Sequence, residues 1–110
     1  MSRFSLQQKM EEAILELERA FIRLAEDRDI DVESQGGVLT VTFEEAERGK
    51  FIISPNSSAR QLWVSARMSS YKFDWSEERA IFVLAHSGEP IRDVMTRLAR
   101  EQLGDDQISL

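Results

Sequence analysis

Between Leu6 and Leu24 the apolar residues Leu6, Met10, Ala13, Ile14, Leu17, Ala20, Phe21 and Leu24 return every three or four positions. That spacing lines one face of an α-helix. No Gly or Pro interrupts the segment, Ser5 stands where an N-cap with Gln8 three residues on would begin it, and the pattern fades near Glu26 to Arg28. After Gly36-Gly37 the period drops to two. Leu39, Val41 and Phe43 alternate with Val38, Thr40 and Thr42, the mark of a strand with one buried face. Asp31 to Gln35 is expected to pair with it through a Gly36-Gly37 turn, because two-residue hairpin turns need positive φ. Four more β-like runs follow, at Lys50 to Ser54, Gln61 to Ala66, Tyr71 to Trp75 and Ala80 to Ala85. Ser87-Gly88-Glu89-Pro90 then opens a second helix whose buried stripe is Ile91, Val94, Met95, Leu98 and Gln102-Leu103. Gly104 is its stop, and Asp105 to Leu110 is expected to be loose. The order α-β-β-β-β-β-β-α predicts an α+β two-layer sandwich: an antiparallel sheet of about six strands with both helices on one face.

A chain of 110 residues, 42% hydrophobic and 31% charged, predicts one soluble domain spanning residues 1–110. No apolar run is long enough for a membrane span, and the first ten residues lack the apolar core of a signal peptide, so a cytoplasmic location is expected. The absence of cysteine removes disulfides and thiolate metal sites, leaving oxygen ligands or the single His86. The net charge of -6 argues against nucleic acid, whose phosphates call for a basic surface. Residues 1–49 carry 12 Asp+Glu against 6 Lys+Arg, and residues 50–110 carry 8 of each, so the whole excess lies in the first part. Cations and basic protein surfaces are the fitting partners.

Two features could carry function. In Gln61 to Ala66 the core side of the alternation is Leu62, Val64 and Ala66, which turns Trp63 outward beside Gln61 and Ser65. An outward indole on a polar sheet face suits an interaction hot spot. The alternative is a Trp63 covered by the loop around Asn56 or by a neighbouring strand. By the same rule Tyr71, Phe73 and Trp75 share the core face, and Lys72 and Asp74 the other. The second feature is the acidic run Glu26, Asp27, Asp29, Asp31 and Glu33. Alternation puts the last three on one side, with Glu44 available from the next strand. Glu11 and Glu18 share a face of the first helix. Carboxylates suit hard cations, but no EF-hand loop or facial triad is present, so the pattern supports only weak, exposed binding or a merely solvated face. His86 reads as a loop residue. No catalytic triad and no Gly-rich phosphate loop can be argued.

The strings Asp29-Ile30-Asp31-Val32-Glu33, Gly36-Gly37-Val38-Leu39-Thr40-Val41-Thr42-Phe43, Gln61-Leu62-Trp63-Val64-Ser65 and Tyr71-Lys72-Phe73-Asp74, in this order, resemble the bacterial branch of the frataxin family. The resemblance spans essentially the whole chain, from helix to helix. It implies a helix–sheet sandwich with an acidic ridge, weak binding of iron (Fe2+/Fe3+) or other divalent cations, and docking on the cysteine desulfurase and iron–sulfur scaffold. A monomer is expected without iron. Carried to this sequence, Asp27, Asp29, Asp31, Glu33 and Glu44 match acidic-ridge positions, Glu18 matches one on the first helix, Gln61 and Trp63 match the sheet-surface motif, and Lys72 takes a place where relatives often have Arg or His; Glu11 and Glu26 join them as candidate iron ligands, and Asn56 and Arg60 as candidate partner contacts. The chain departs from the family at Ile22, Arg23 and Ala25, where helix carboxylates are usual. Two other readings stand beside the regulator of cluster assembly: a ferroxidase-type iron-oxidising protein, and a small acidic chaperone that would bury a hydrophobic dimer face.

Overall fold

The computed structural model describes residues 2–45 and 48–110. Helix α1 spans Arg3–Ala25 and helix α2 Ile91–Leu103. Between them run β1 Ile30–Gln35, β2 Val38–Phe43, β3 Gly49–Asn56, β4 Gln61–Ala66, β5 Ser69–Ser76 and β6 Ile81–Leu84. The strands form a six-stranded antiparallel meander in chain order. Pairing each strand with its sequence neighbour needs only short connections, which suits this spacing of turn residues. The α+β sandwich expected from the pattern is the fold observed.

Core and surface follow the alternation. Leu39, Val41, Phe43, Phe51, Ile53, Leu62, Val64 and Phe73 are buried under the apolar stripes of both helices. Phe51 meets Phe21 of α1 edge-on at 6.2 Å and packs on Phe43 at 4.6 Å. Such aromatic pairs add about 0.5–1.5 kcal/mol each beyond the area they bury. α1 lies over β1, β2 and β3, and α2 packs toward β6. The opposite face of the sheet is open.

Turn chemistry sets the register. Gly36 and Gly37 have φ of 60° and 82°, as the expected hairpin turn requires, and Gln35 pairs with Val38. The β4–β5 turn reaches the same backbone region without glycine, with Arg67 at φ 47° and Met68 at 64°. Arg67 is anchored there by its bond to the buried Gln102 of α2 at 2.9 Å and by Glu101 at 3.7 Å, so tertiary contacts hold a turn that local preference disfavours.

Two expectations are corrected. The N-cap of α1 is Ser2, whose Oγ accepts the Ser5 N–H at 3.1 Å; Ser5 sits one turn inside the helix and accepts from the Ser2 hydroxyl at 3.0 Å. Either serine can cap, and the choice falls to where the helical backbone begins. The C-terminal tail is not loose. After Gly104 closes α2 in the left-handed conformation, Ile108 inserts into the core, Arg100 Nε donates to the Ile108 carbonyl at 2.7 Å and Arg92 Nε to the Leu110 carbonyl at 2.8 Å. Buried apolar area and two charge-assisted bonds offset the ordering entropy that composition alone could not weigh.

Candidate docking face and acidic edge

Because partners across an antiparallel sheet share a face, the register of β3, β4 and β5 decides which side chains meet on the open side. Ser54 pairs with Trp63 and Trp63 with Lys72; in the next row Asn56 pairs with Gln61 and Gln61 with Asp74. Trp63 is 38% exposed, as expected from the alternation, so neither the loop around Asn56 nor a neighbouring strand covers it. Its ring is nonetheless held. Nε1 donates to Gln61 Oε1 at 2.9 Å, Gln61 Nε2 donates to Asp74 Oδ1 at 2.9 Å, and Lys72 Nζ stands 4.9 Å from the ring centroid. A charged carboxylate thus orients an amide, the amide orients the indole, and a cation covers part of its face. Asn56 Oδ1 accepts the Ala59 N–H at 2.8 Å, and Arg60 takes φ 59°, which together shape the turn beside this platform.

Four of the five expected partner residues, Asn56, Gln61, Trp63 and Lys72, therefore occupy adjoining rows of one face, with Arg60 in the turn at its end. Alternation alone puts Asp74 on the same side as Lys72 and says nothing of a partner. Its bond to Gln61 depends on the β4–β5 register, which no local motif reveals.

The acidic residues form a margin rather than a pocket. Asp31 lies opposite Thr42 and Glu33 opposite Thr40, both exposed on the open side, while Ile30 and Val32 turn toward the core. The ladder continues one step, with the Glu44 N–H bonded to the Asp29 carbonyl at 3.1 Å. Glu26 is the C-cap of α1 and Asp27 follows it, both exposed. On α1, Glu11 is exposed and Glu18 half-buried. Among the described residues no three His, Asp or Glu side chains are gathered so as to hold a metal ion. Oxygen donors are present in number, but they do not converge.

Arg28, which sits inside the acidic run, is structural. It donates to Glu45 Oε1 at 2.8 Å and also bonds Asp105, tying the α1–β1 connection to the end of β2 and to the tail. The Asp29 N–H donates to the other Glu45 oxygen at 3.1 Å. That backbone bond and Arg28 hold the Glu45 carboxyl below its usual range, against a smaller desolvation effect. Glu89 is lowered in the same way, first by the bond from Arg97 at 2.5 Å. His86 is exposed in the β6–α2 connection.

Comparison with known proteins gives a consistent picture. A model of the frataxin-like domain matches residues 1–105. The iron-sulfur cluster assembly protein CyaY of Stutzerimonas stutzeri is 39% identical over 77 residues, covering 70% of this chain and 68% of the relative. CyaY of Pseudomonas aeruginosa is 39% identical over 80 residues, covering 73% and 72%. CyaY of Azotobacter vinelandii is 34% identical over 80 residues, covering 73% and 71%. Among solved structures, frataxin from Psychromonas ingrahamii, a model for stability modulation within the CyaY protein family, superposes with a TM-score of 0.80 at 18% identity, covering 96% of this chain and 94% of that one. At that identity the superposition speaks for the fold.

Proposed function

The chain belongs to the frataxin-like family, and from that membership we propose that it serves iron–sulfur cluster assembly by docking on the cysteine desulfurase and scaffold complex and regulating its rate. The observation that carries this reading is the Asp74–Gln61–Trp63–Lys72 network. An indole fixed in place before contact loses little conformational entropy on binding, and aromatic anchors of this kind dominate interface energetics. Asn56 and Arg60 extend the docking face at its rim. No helix among the described residues is long and apolar enough to cross a membrane, and the proposed site of action is the cytoplasm.

The carboxylates Glu26, Asp27, Asp29, Asp31, Glu33 and Glu44, with Glu11 and Glu18 on the helix, are proposed to hold iron as cargo, weakly and at several overlapping places. Exposed, uncommitted oxygen donors favour hard divalent ions without selecting among them. The ferroxidase reading calls for carboxylates converging on one centre, and among the described residues no such group is found. The test is a binding titration of purified desulfurase and scaffold against wild type and Trp63→Ala. A loss of at least about 30-fold, equal to about 2 kcal/mol, is expected. Equal binding by the two proteins would remove this face from the interface and with it the proposed function.

A further inference from the structure

The two edges of the sheet are treated differently by the chain itself. On the far side of β6, Val83 bridges to Pro90, the Leu84 N–H bonds the Glu89 carbonyl at 2.8 Å, and the Gly88 N–H returns to the Leu84 carbonyl at 2.9 Å, so that edge is closed by the segment leading into α2. β1 ends the sheet on the other side, with no strand beyond it among the described residues. Antiparallel geometry says which of its backbone groups face outward. The bond from Glu44 N–H to the Asp29 carbonyl and the two-residue turn at Gly36-Gly37 set the alternation: Asp31, Glu33 and Gln35 direct their amides and carbonyls to β2, and Val32 and Ser34 direct theirs away. The Ile30 N–H is taken by the Arg28 carbonyl at 2.9 Å, leaving its carbonyl outward too. Among the described residues nothing bonds these outward groups. Natural edge strands are blunted by Pro, by charged side chains, Lys above all, or by a bulge. β1 has no Pro, Lys or bulge, and its only charges are the acids Asp31 and Glu33: its sequence is Ile-Asp-Val-Glu-Ser-Gln and its six residues pair with β2 without a break.

We propose that the free edge of β1 is a receptor for an extended basic segment of a partner protein, which adds to the sheet as a seventh strand. The unpaired backbone supplies the docking mode, and the two carboxylates select the sign of the occupant. On the outer ladder Asp31 and Glu33 fall at non-hydrogen-bonded sites, where the facing residues are closest, about 4.5 Å between Cα atoms. A second copy of β1 pairing antiparallel about Val32 would set Asp31 against Glu33 twice, placing like charges face to face. A strand with Lys or Arg at two alternate positions meets the same sites with opposite charge. In that register the edge repels its own copy, and it accepts a basic strand.

This inference goes beyond the proposed function and needs no cluster-assembly protein for its test. The probe is a synthetic ten-residue peptide alternating Arg with Val or Thr, added to the isotope-labelled full chain. Amide exchange at Val32 and Ser34 should slow at least tenfold at saturation. A peptide N-methylated at alternate residues, unable to make the ladder bonds, should bind at least tenfold more weakly. Ser34→Pro should reduce peptide binding similarly while keeping the melting temperature close to wild type, since the amide it removes points away from β2. Should that variant fail to fold, Asp31→Lys with Glu33→Lys serves instead, losing the basic peptide and gaining an acidic one. Equal binding of methylated and unmethylated peptides, protection confined to other amides, or no binding at millimolar peptide would each overturn the proposal.

Discussion

Truncating each of the two tryptophans separates a docking residue from one packed against the core. Trp63 stands on the open face, and Trp63→Ala removes one exposed hydrogen bond to Gln61 and the stacking of Lys72. The first is worth about 0.5–1.5 kcal/mol and the second about 0.5–1, so the expected cost is about 1–2.5 kcal/mol. Trp75 lies on the other side of the sheet, its ring 5.1 Å from Phe82 and packed against the core. Trp75→Ala leaves a void there and should cost about 3 kcal/mol or more. Its buried Nε1 has no partner among the described residues, so Trp75→Phe, which keeps the ring contact and removes the unpaired donor, should cost less than Trp75→Ala. Urea unfolding followed by far-UV circular dichroism measures all three, because the backbone signal survives loss of an indole. The order of binding loss should be the reverse, with Trp63→Ala impairing desulfurase or scaffold binding and the Trp75 variants sparing it under conditions where they remain folded. If Trp63→Ala destabilises as much as Trp75→Ala, the open-face assignment is wrong. If it destabilises little and binding is unchanged, the platform is not the docking site.

Ile108→Ala should lower stability by about 2–4 kcal/mol by urea unfolding, since a tail that merely drapes the surface would tolerate it within about 0.5. Glu45 and Glu89 are held below the usual carboxylate range, so the unfolded chain takes up their protons first on acidification. Their stabilisation is full above the ordinary glutamate pKa and is lost as pH falls through the lower folded values. Glu45→Gln with Glu89→Gln should therefore lower the melting temperature at pH 7 yet converge on wild type in acid, and a constant gap across that window would contradict the assignment. A divalent cation at ten times its dissociation constant should add RT ln 11, about 1.4 kcal/mol, measurable as a rise in melting temperature. Asp29→Asn, Asp31→Asn and Glu33→Gln together should abolish most of that response, and a full response in the triple variant would place cation binding elsewhere.

Periodicity alone determined a good part of this protein. Apolar spacing of three and four located both helices, residue pattern marked six strands and alternation the buried faces of β2, β4 and β5, and the Gly36-Gly37 pair implied the turn that sets the β1–β2 register. The same alternation turned Trp63 outward and put Asp31 and Glu33 on one side. These are local consequences of backbone geometry, so they can be read from neighbouring residues. What the tertiary structure decided is everything that depends on register between distant segments. Asp74 orients Gln61 only because β4 and β5 align as they do, and Arg28 becomes a tie only once Glu45 and Asp105 arrive beside it. The Arg67-Met68 turn is held by the end of α2, and the polar-looking tail is ordered by Ile108 entering a core assembled by the rest of the chain. The free edge of β1 belongs to this second group: a strand reads alike in sequence whether or not another lies beyond it, because pairing is a property of the sheet and not of the strand.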